Sequence, residues 1–320
     1  FASFTQGRGT LSINYDDYGE LMKRTETNTL NNKILTKEKT PVTSILILLS
    51  VTPGTFLSHF SAGLVNIALP DMSLYFTSTL AMTQWIVTAY LIAVMLFLPI
   101  MGKLADKYGK KVIHNVGYVV FGFGIILSGV SHSLVFLLAA RIVQGIGAAM
   151  LQSVNMAIIT ESYPKHKRGM ALGIISTAVG VGALLGPSAG GLLINWFSWQ
   201  MLFWVQLPLI IFAFVLAVRY IPKDKLSERK VFSFDYIGAS LFGFALTCTI
   251  LVLNQIGAGQ VDSWLWPLAI LGVVSAFLFV FWIKNKQEPF INVNVLKPPM
   301  VRAGSYIIIV SYLATFSSMV

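Results

Sequence analysis

Cysteine is almost missing from this 320-residue chain: the single one, Cys248, lies inside an apolar run. One thiol excludes an intrachain disulfide and any zinc site built on cysteines, so redox chemistry is not indicated. Charge is scarce as well. Only 11% of residues are charged, against roughly 25% in an ordinary soluble domain, and 55% are hydrophobic. Acids number 13 against 23 bases, and every acid falls in a tail, a connection or the end of an apolar run. A net charge of +10 would point a soluble protein toward nucleic acid. Here the bases lie in short connections between apolar runs, which argues against a nucleic-acid partner. A Gly-x-x-x-x-Gly-Lys-Ser/Thr phosphate loop, a zinc spacing and a serine-nucleophile elbow are also absent. ATP-driven pumping and enzymatic chemistry are therefore unsupported, and no cofactor or metal is expected. The composition is that of an all-α polytopic membrane protein.

Runs long enough for a spanning helix of about 20 residues occur nine times, at 42–69, 83–101, 112–130, 134–159, 170–194, 199–218, 236–256, 264–283 and 303–320. That length excludes strands. The first run exceeds a signal core of roughly 7 to 15 residues and has no small-x-small site behind it, so it is expected to stay in the mature chain. Residues 1–41 are polar and aperiodic, as in a disordered tail. The chain opens on Phe1, whereas Met22-Lys23-Arg24 would open a normal basic tail, so residues 1–21 are expected to be upstream sequence that the native protein lacks. The last run stops at Val320 without a polar flank, as a truncated chain would.

The bases alternate with the spans. Lys103, Lys107, Lys110 and Lys111 share one connection; Lys165, Lys167 and Arg168 the next; Arg219, Lys223, Lys225, Arg229 and Lys230 the third; Lys284, Lys286, Lys297 and Arg302 the fourth. The intervening connections, 71–82, 131–133, 195–198 and 257–263, carry no Lys or Arg. The positive-inside rule then places the tail and the basic connections in the cytoplasm. Arg141 alone is left within a span, about 10 Å deep by the helical rise from Leu134. An arginine near a helix end can snorkel, but outward snorkelling would take it to uncharged connections, and intramembrane ionisable residues mark functional paths. Counting a similar depth back from Pro70, which is expected to end the first run, reaches His59 to Gly63.

Four motifs accompany this topology. Gly102-Lys-Leu-Ala-Asp106-Lys-Tyr-Gly109-Lys110-Lys111 reads as a short polar loop whose two glycines permit a tight reversal. Val65-Asn66-Ile-Ala-Leu-Pro70 closes the first run. Arg141-Ile-Val-Gln144-Gly145-Ile-Gly147 lies in the fourth. Gly182-Ala-Leu-Leu-Gly186-Pro187-Ser-Ala-Gly190-Gly191 lies in the fifth, with Gly182, Gly186 and Gly190 on one face and Pro187 allowing a bend. Each has a plain reading: proline at a span end, a packing stripe, a hydrogen-bonded histidine at His59. Trp199-Gln200-Met201-Leu-Phe203-Trp204-Val-Gln206-Leu-Pro208 suits an interfacial aromatic anchor, with Gln206 a lesser site candidate, and Gln84 an outer-end hydrogen bonder.

In order and spacing these motifs resemble those of major facilitator superfamily transporters, and within them the drug:proton antiporters with fourteen spans. The resemblance implies a major facilitator fold: a cytoplasmic tail at 1–41, a six-helix N-terminal half at 42–222, two linker helices at 223–300 and an incomplete first span of the C-terminal half at 301–320. Pro289 to Leu296 looks like the segment re-entering that half. The activity implied is proton-driven efflux of small, amphipathic molecules by alternating access, in a monomer of the bacterial cytoplasmic membrane with its N-terminus inside. Arg141, Gln144, His59, Ser61 and Asn66 would line the substrate and proton path. Gly102, Asp106, Gly109, Lys110 and Lys111 would form a conformational gate, Asp106 pairing across the cytoplasmic seam, and Gly182, Gly186, Pro187, Gly190 and Gly191 the antiporter motif. Ser61 departs from the family, which places an aspartate there. That leaves Arg141 without an obvious carboxylate and favours neutral, zwitterionic or anionic substrates. It also keeps open a proton-carrying role for His59, an uncoupled facilitator or importer, and a non-transporting membrane sensor.

Overall fold

A computed structural model describes residues 41–224, 235–257, 262–286 and 297–317. The polar tail, the segment from Pro289 to Leu296 and the end of the last run lie outside them. The chain divides into two units, residues 1–44 and 45–320.

Every regular element among the described residues is helical: α1 (Pro41–Tyr75), α2 (Leu80–Thr83), α3 (Trp85–Tyr108), α4 (Lys110–Gly129), α5 (Leu134–Ser162), a 3₁₀ turn (Lys165–Lys167), α6 (Arg168–Trp196), α7 (Met201–Trp204), α8 (Leu207–Tyr220), α9 (Tyr236–Gly257), α10 (Leu265–Asn285) and α11 (Pro299–Ser317). Among the described residues eight segments are long and apolar enough to cross a membrane, matching the first eight runs. The protein is a multi-pass membrane protein.

Three local expectations are corrected. Pro70 does not end α1, which runs on to Tyr75 with both Pro53 and Pro70 inside it. The polar clasp is not a ten-residue loop: α3 continues through Gly102 and Asp106 to Tyr108, and Gly109 alone turns the chain into α4, at φ 101°. A left-handed residue between two helices is where glycine is required, whereas a Cβ on Gly102 would meet nothing within 4 Å. The aromatics after Trp199 are not simply a lipid-facing belt. Trp199 is buried against Tyr75 and Phe76 at the end of α1, with ring centroids 5.4 and 5.5 Å away, and Phe203 is buried beside it. The sixth span is broken between α7 and α8 at Val205 and Gln206, where Pro208 cannot donate to the preceding turn.

α5 is the centre of the bundle, packed on α3 and α4 through positions that lack a side chain. A Cβ on Gly124 of α4 would lie 2.5 Å from the Cα of Gln144, and one on Gly145 of α5 would lie 2.7 Å from the Tyr90 carbonyl of α3. Small residues let backbones approach where lipid offers no hydrophobic drive to associate. α6 packs on α1 in the same way, with Gly182 against the Phe56 carbonyl, Gly186 against Phe60 and Gly63, and Gly190 against Leu64 and Ile67. α9 and α10 pack on each other, with Ser275 Oγ donating to the Leu241 carbonyl (2.9 Å), and α9 also rests on α3, where a Cβ on Gly243 would meet Leu96. Asp235 caps their lysine-rich end, accepting from the Gly238 amide (3.0 Å), Trp282 Nε1 (3.0 Å) and Lys286 Nζ (2.9 Å).

Because the atoms facing Gly124 are backbone, Gly124→Val must part α4 from α5. It is expected to destabilise the detergent-solubilised protein by about 1–3 kcal/mol, read as a lowered thermal unfolding midpoint.

Candidate functional site

The middle of the bundle holds a buried cation without a carboxylate. Arg141 on α5 is 0% exposed. Its Nε donates to the Ile86 carbonyl of α3 (3.2 Å), and its Nη1 donates to Ser61 Oγ of α1 (3.2 Å) and to Gln144 Oε1 one turn along α5 (2.5 Å). Gln144 Nε2 closes the ring by donating to the same Ser61 Oγ (3.0 Å). The guanidinium carbon stands 4.2 Å from the centroid of the Tyr90 ring, whose π-face supplies the negative potential that no acid provides. Arg141 Nη2 has no partner among the described residues.

A second polar layer adjoins the first. Tyr90 donates its hydroxyl to the Ser58 carbonyl (2.8 Å) and sits 2.7 Å from Ser58 Oγ, which also accepts from Gln152 Nε2 (2.6 Å). The two layers bind α1, α3 and α5 into one block. Sequence reasoning missed Ser58, Tyr90 and Gln152; hydroxyl and amide side chains facing one another across three helices were the signal available.

The structure brings together three of the five residues expected on the substrate and proton path, Arg141, Gln144 and Ser61, and seals all three from open space. His59 and Asn66 lie apart from that ring. They are seven residues apart, hence on one face of α1, beside the positions that the α6 glycines meet. Asn66 is exposed, and His59 is half-buried with Nδ1 2.9 Å from the Thr55 carbonyl of its own helix. Gln84 precedes α3 and is exposed, its carbonyl rather than its amide receiving bonds. Gln206 is buried at the break in the sixth span, donating to the Leu202 carbonyl (2.7 Å), with Oε1 unpartnered among the described residues.

At the lysine-rich end, three connections meet. Lys110 forms an ion pair with Glu161 at the end of α5. Lys111 reaches the last carbonyls of α8, donating to Val218 (2.7 Å) and Ile221 (2.6 Å). Asp224 Oδ2 accepts from the Lys111 amide (3.0 Å). A carboxylate thus faces the first turn of α4 and an ammonium the last turn of α8, each complementing the helix dipole. Asp106 is exposed and bonds to none of the described residues. Glu161 and Asp224 are the acids that engage this turn, and both were missed because they are distant in sequence and outside the recognised motifs. Gly182, Gly186 and Gly190 form the α6 stripe with Pro187 Cδ against Gly63, while Gly191 faces no atom within 4 Å.

Two contrasts follow. Ser61→Ala leaves Gln144 Nε2 without an acceptor and is expected to cost about 1–3 kcal/mol, whereas Arg141→Met removes a buried charge that no carboxylate neutralises and is expected to cost less; thermal unfolding in detergent compares them. Gly102→Ala, within a helix and facing open space, is expected to be neutral or stabilising by about 0.5–1 kcal/mol. Gly109→Ala instead forces a positive φ and puts a Cβ 2.6 Å from Asp224 Oδ2, for a loss of about 1–3 kcal/mol.

The described arrangement has relatives. The chain is 29% identical over 270 residues to the riboflavin transporter RibZ of Clostridioides difficile, covering 83% of this chain and 57% of that protein. It is 28% identical over 277 residues to the lincomycin resistance protein LmrB of Bacillus subtilis (85% and 57%), and 30% identical over 261 residues to the multidrug resistance protein Stp of Mycobacterium tuberculosis (80% and 48%). The chain thus spans about half the length of these curated relatives. Among solved structures, the POT family transporter PepTSo superposes with a TM-score of 0.54 at 15% identity over 76% of this chain and 52% of that one, a likeness of fold alone. The profile of the Major Facilitator Superfamily matches residues 51–283. With that match across most of the chain, and the eight apolar helices packed as described, the protein belongs to the Major Facilitator Superfamily.

Proposed function

We propose that the protein is a secondary-active exporter of small molecules coupled to proton influx, of the kind represented by the fourteen-span drug:proton antiporters. The observation that carries this reading is the α6 stripe: Gly182, Gly186 and Gly190 seat backbone on backbone against α1, with Pro187 packed on Gly63. That is the antiporter-type pattern performing the close approach its residues allow. Relatives named for lincomycin and multidrug resistance support efflux, and the α9–α10 pair supports two linker spans after a six-span half. The lysine-rich end faces the cytoplasm in this reading, in a bacterial cytoplasmic membrane, and Asp106 remains available to a gate contact beyond the described residues.

The buried ring assigns roles within this half. Arg141, Gln144 and Ser61 brace α1, α3 and α5 in the described conformation, while half-buried His59 and exposed Asn66 are polar groups of α1 outside that ring. Without a carboxylate near Arg141, this half offers nothing to offset the desolvation of a lipophilic cation, so neutral, zwitterionic or anionic compounds are its substrates. The same lack of an acid favours a second reading, an uncoupled facilitator, and the riboflavin transporter among the relatives suits a substrate of that charge class.

Everted membrane vesicles energised acid-inside test both. Riboflavin is expected to accumulate inside, with part of the proton gradient collapsing on addition, and ethidium to do neither. Entry only up to the outside concentration, with no proton movement, selects the facilitator; ethidium transport overturns the substrate class.

A further inference from the structure

A groove between α3 and α9 has no part in the Arg141 ring or in the turn at Gly109. The two helices touch where a Cβ on Gly243 would meet the Leu96 side chain, and along that line they leave an open cleft of about 480 Å³. Leu96 and Ile100 form its α3 wall, while Tyr236, Ala239, Gly243 and Phe244 form most of the α9 wall. Ser240 and Thr247 complete the lining. Both donate their hydroxyls along their own helix, to the carbonyls of Ile237 (3.0 Å) and Gly243 (2.8 Å). Below Tyr236 the lining therefore holds no free donor, and hydrocarbon is what it suits. From Tyr236 to Thr247 the wall is about 16 Å long by the helical rise. That is close to half of the ~30 Å hydrocarbon thickness, the depth of one leaflet.

The mouth of the cleft is cationic. Steps of four, three and four residues put Leu96, Ile100, Lys103 and Lys107 on one stripe of α3, apolar within the cleft and basic just beyond it. Lys103 lies seven residues past Leu96, and Tyr236 lies seven residues before Gly243, so each stands about 10 Å from the Leu96–Gly243 contact. Because α3 ends at the lysine-rich end and α9 begins there, the two residues share a level.

Lys103 is half-buried and forms no hydrogen bond or ion pair among the described residues. The nearby acids do not neutralise it. Asp106, three residues on, falls to one side of the stripe. Asp235, beside Tyr236, is 3% exposed and already accepts from the Gly238 amide, Trp282 Nε1 and Lys286 Nζ. An unpaired ammonium at the end of an apolar slot one leaflet deep matches a lipid with a negative headgroup, as basic pockets between spanning helices do.

We propose that this groove binds an anionic phospholipid, with its phosphate at Lys103 and one acyl chain between α3 and α9. The site needs neither export nor proton coupling, so its failure and that of the exporter reading are distinguishable. A zwitterionic lipid fills the same slot without a net charge to offer Lys103, and headgroup selectivity is therefore the property to measure. Native mass spectrometry of the purified full-length protein, offered equal amounts of phosphatidylglycerol and phosphatidylcholine with identical acyl chains, should show one phosphatidylglycerol retained with a preference of about fivefold. Lys103→Gln should remove most of that preference, and Lys165→Gln, on the turn between α5 and α6, should leave it. In nanodiscs, phosphatidylglycerol carrying a diazirine in its acyl chain should label residues 96–100 and 236–247, and Ser240→Phe, which fills the cleft from α9, should suppress that labelling. Equal retention of the two lipids, or a preference that survives Lys103→Gln, overturns the headgroup assignment. Label that misses both segments, as it would if a second copy or another stretch of the polypeptide filled the cleft, overturns the site.

Discussion

A guanidinium buried without a carboxylate is the constraint around which this bundle is built. Placing Arg141 in the interior carries a desolvation cost that a single weak contact cannot offset. Its charge is met instead by several partial ones: a backbone carbonyl from α3, a hydroxyl from α1, an amide from its own helix and the face of Tyr90. None of these can be reached unless α1 and α3 lie close to α5. Gly145 lets α3 approach to that distance, Gly124 and Gly147 seat α4 on α5, and the second layer of Ser58, Tyr90 and Gln152 ties α1 and α3 to α5 beside the ring. Packing and electrostatics are therefore one requirement here.

The lysine-rich end is organised by helix ends. Lys111 meets the terminal carbonyls of α8, Asp224 meets the first amides of α4, and Lys110 meets Glu161 on α5. Exposed ion pairs are individually weak, so this end can part at small cost while the Arg141 ring, sealed and multiply bonded, holds the block together. Such a division suits a half-bundle that moves as a rigid unit and opens at its rim.

The spans and their alternation were legible because about 20 apolar residues and the distribution of lysine follow from bilayer thickness and charge alone. The depth count placed Arg141 opposite residues 59 to 63, and Ser61 is where its Nη1 arrives. Polar loops were misjudged because helix ends are set by backbone hydrogen bonds that continue into charged sequence; Gly102 and Asp106 are helical for that reason. Asp224 and Glu161 could not be paired with the turn they serve, since nothing local links them to residues 50 or more positions away. Trp199 was read as an interfacial anchor because an aromatic at a span end looks alike whether it faces lipid or the end of α1.

A double-mutant cycle between Ser61→Ala and Arg141→Met, read by reversible unfolding of the purified protein, measures the central claim that these two side chains form one structural unit across α1 and α5. The account predicts a coupling of about 1 kcal/mol or more, the range of residues sharing one hydrogen-bond network. Additive effects, with coupling near zero, would contradict it.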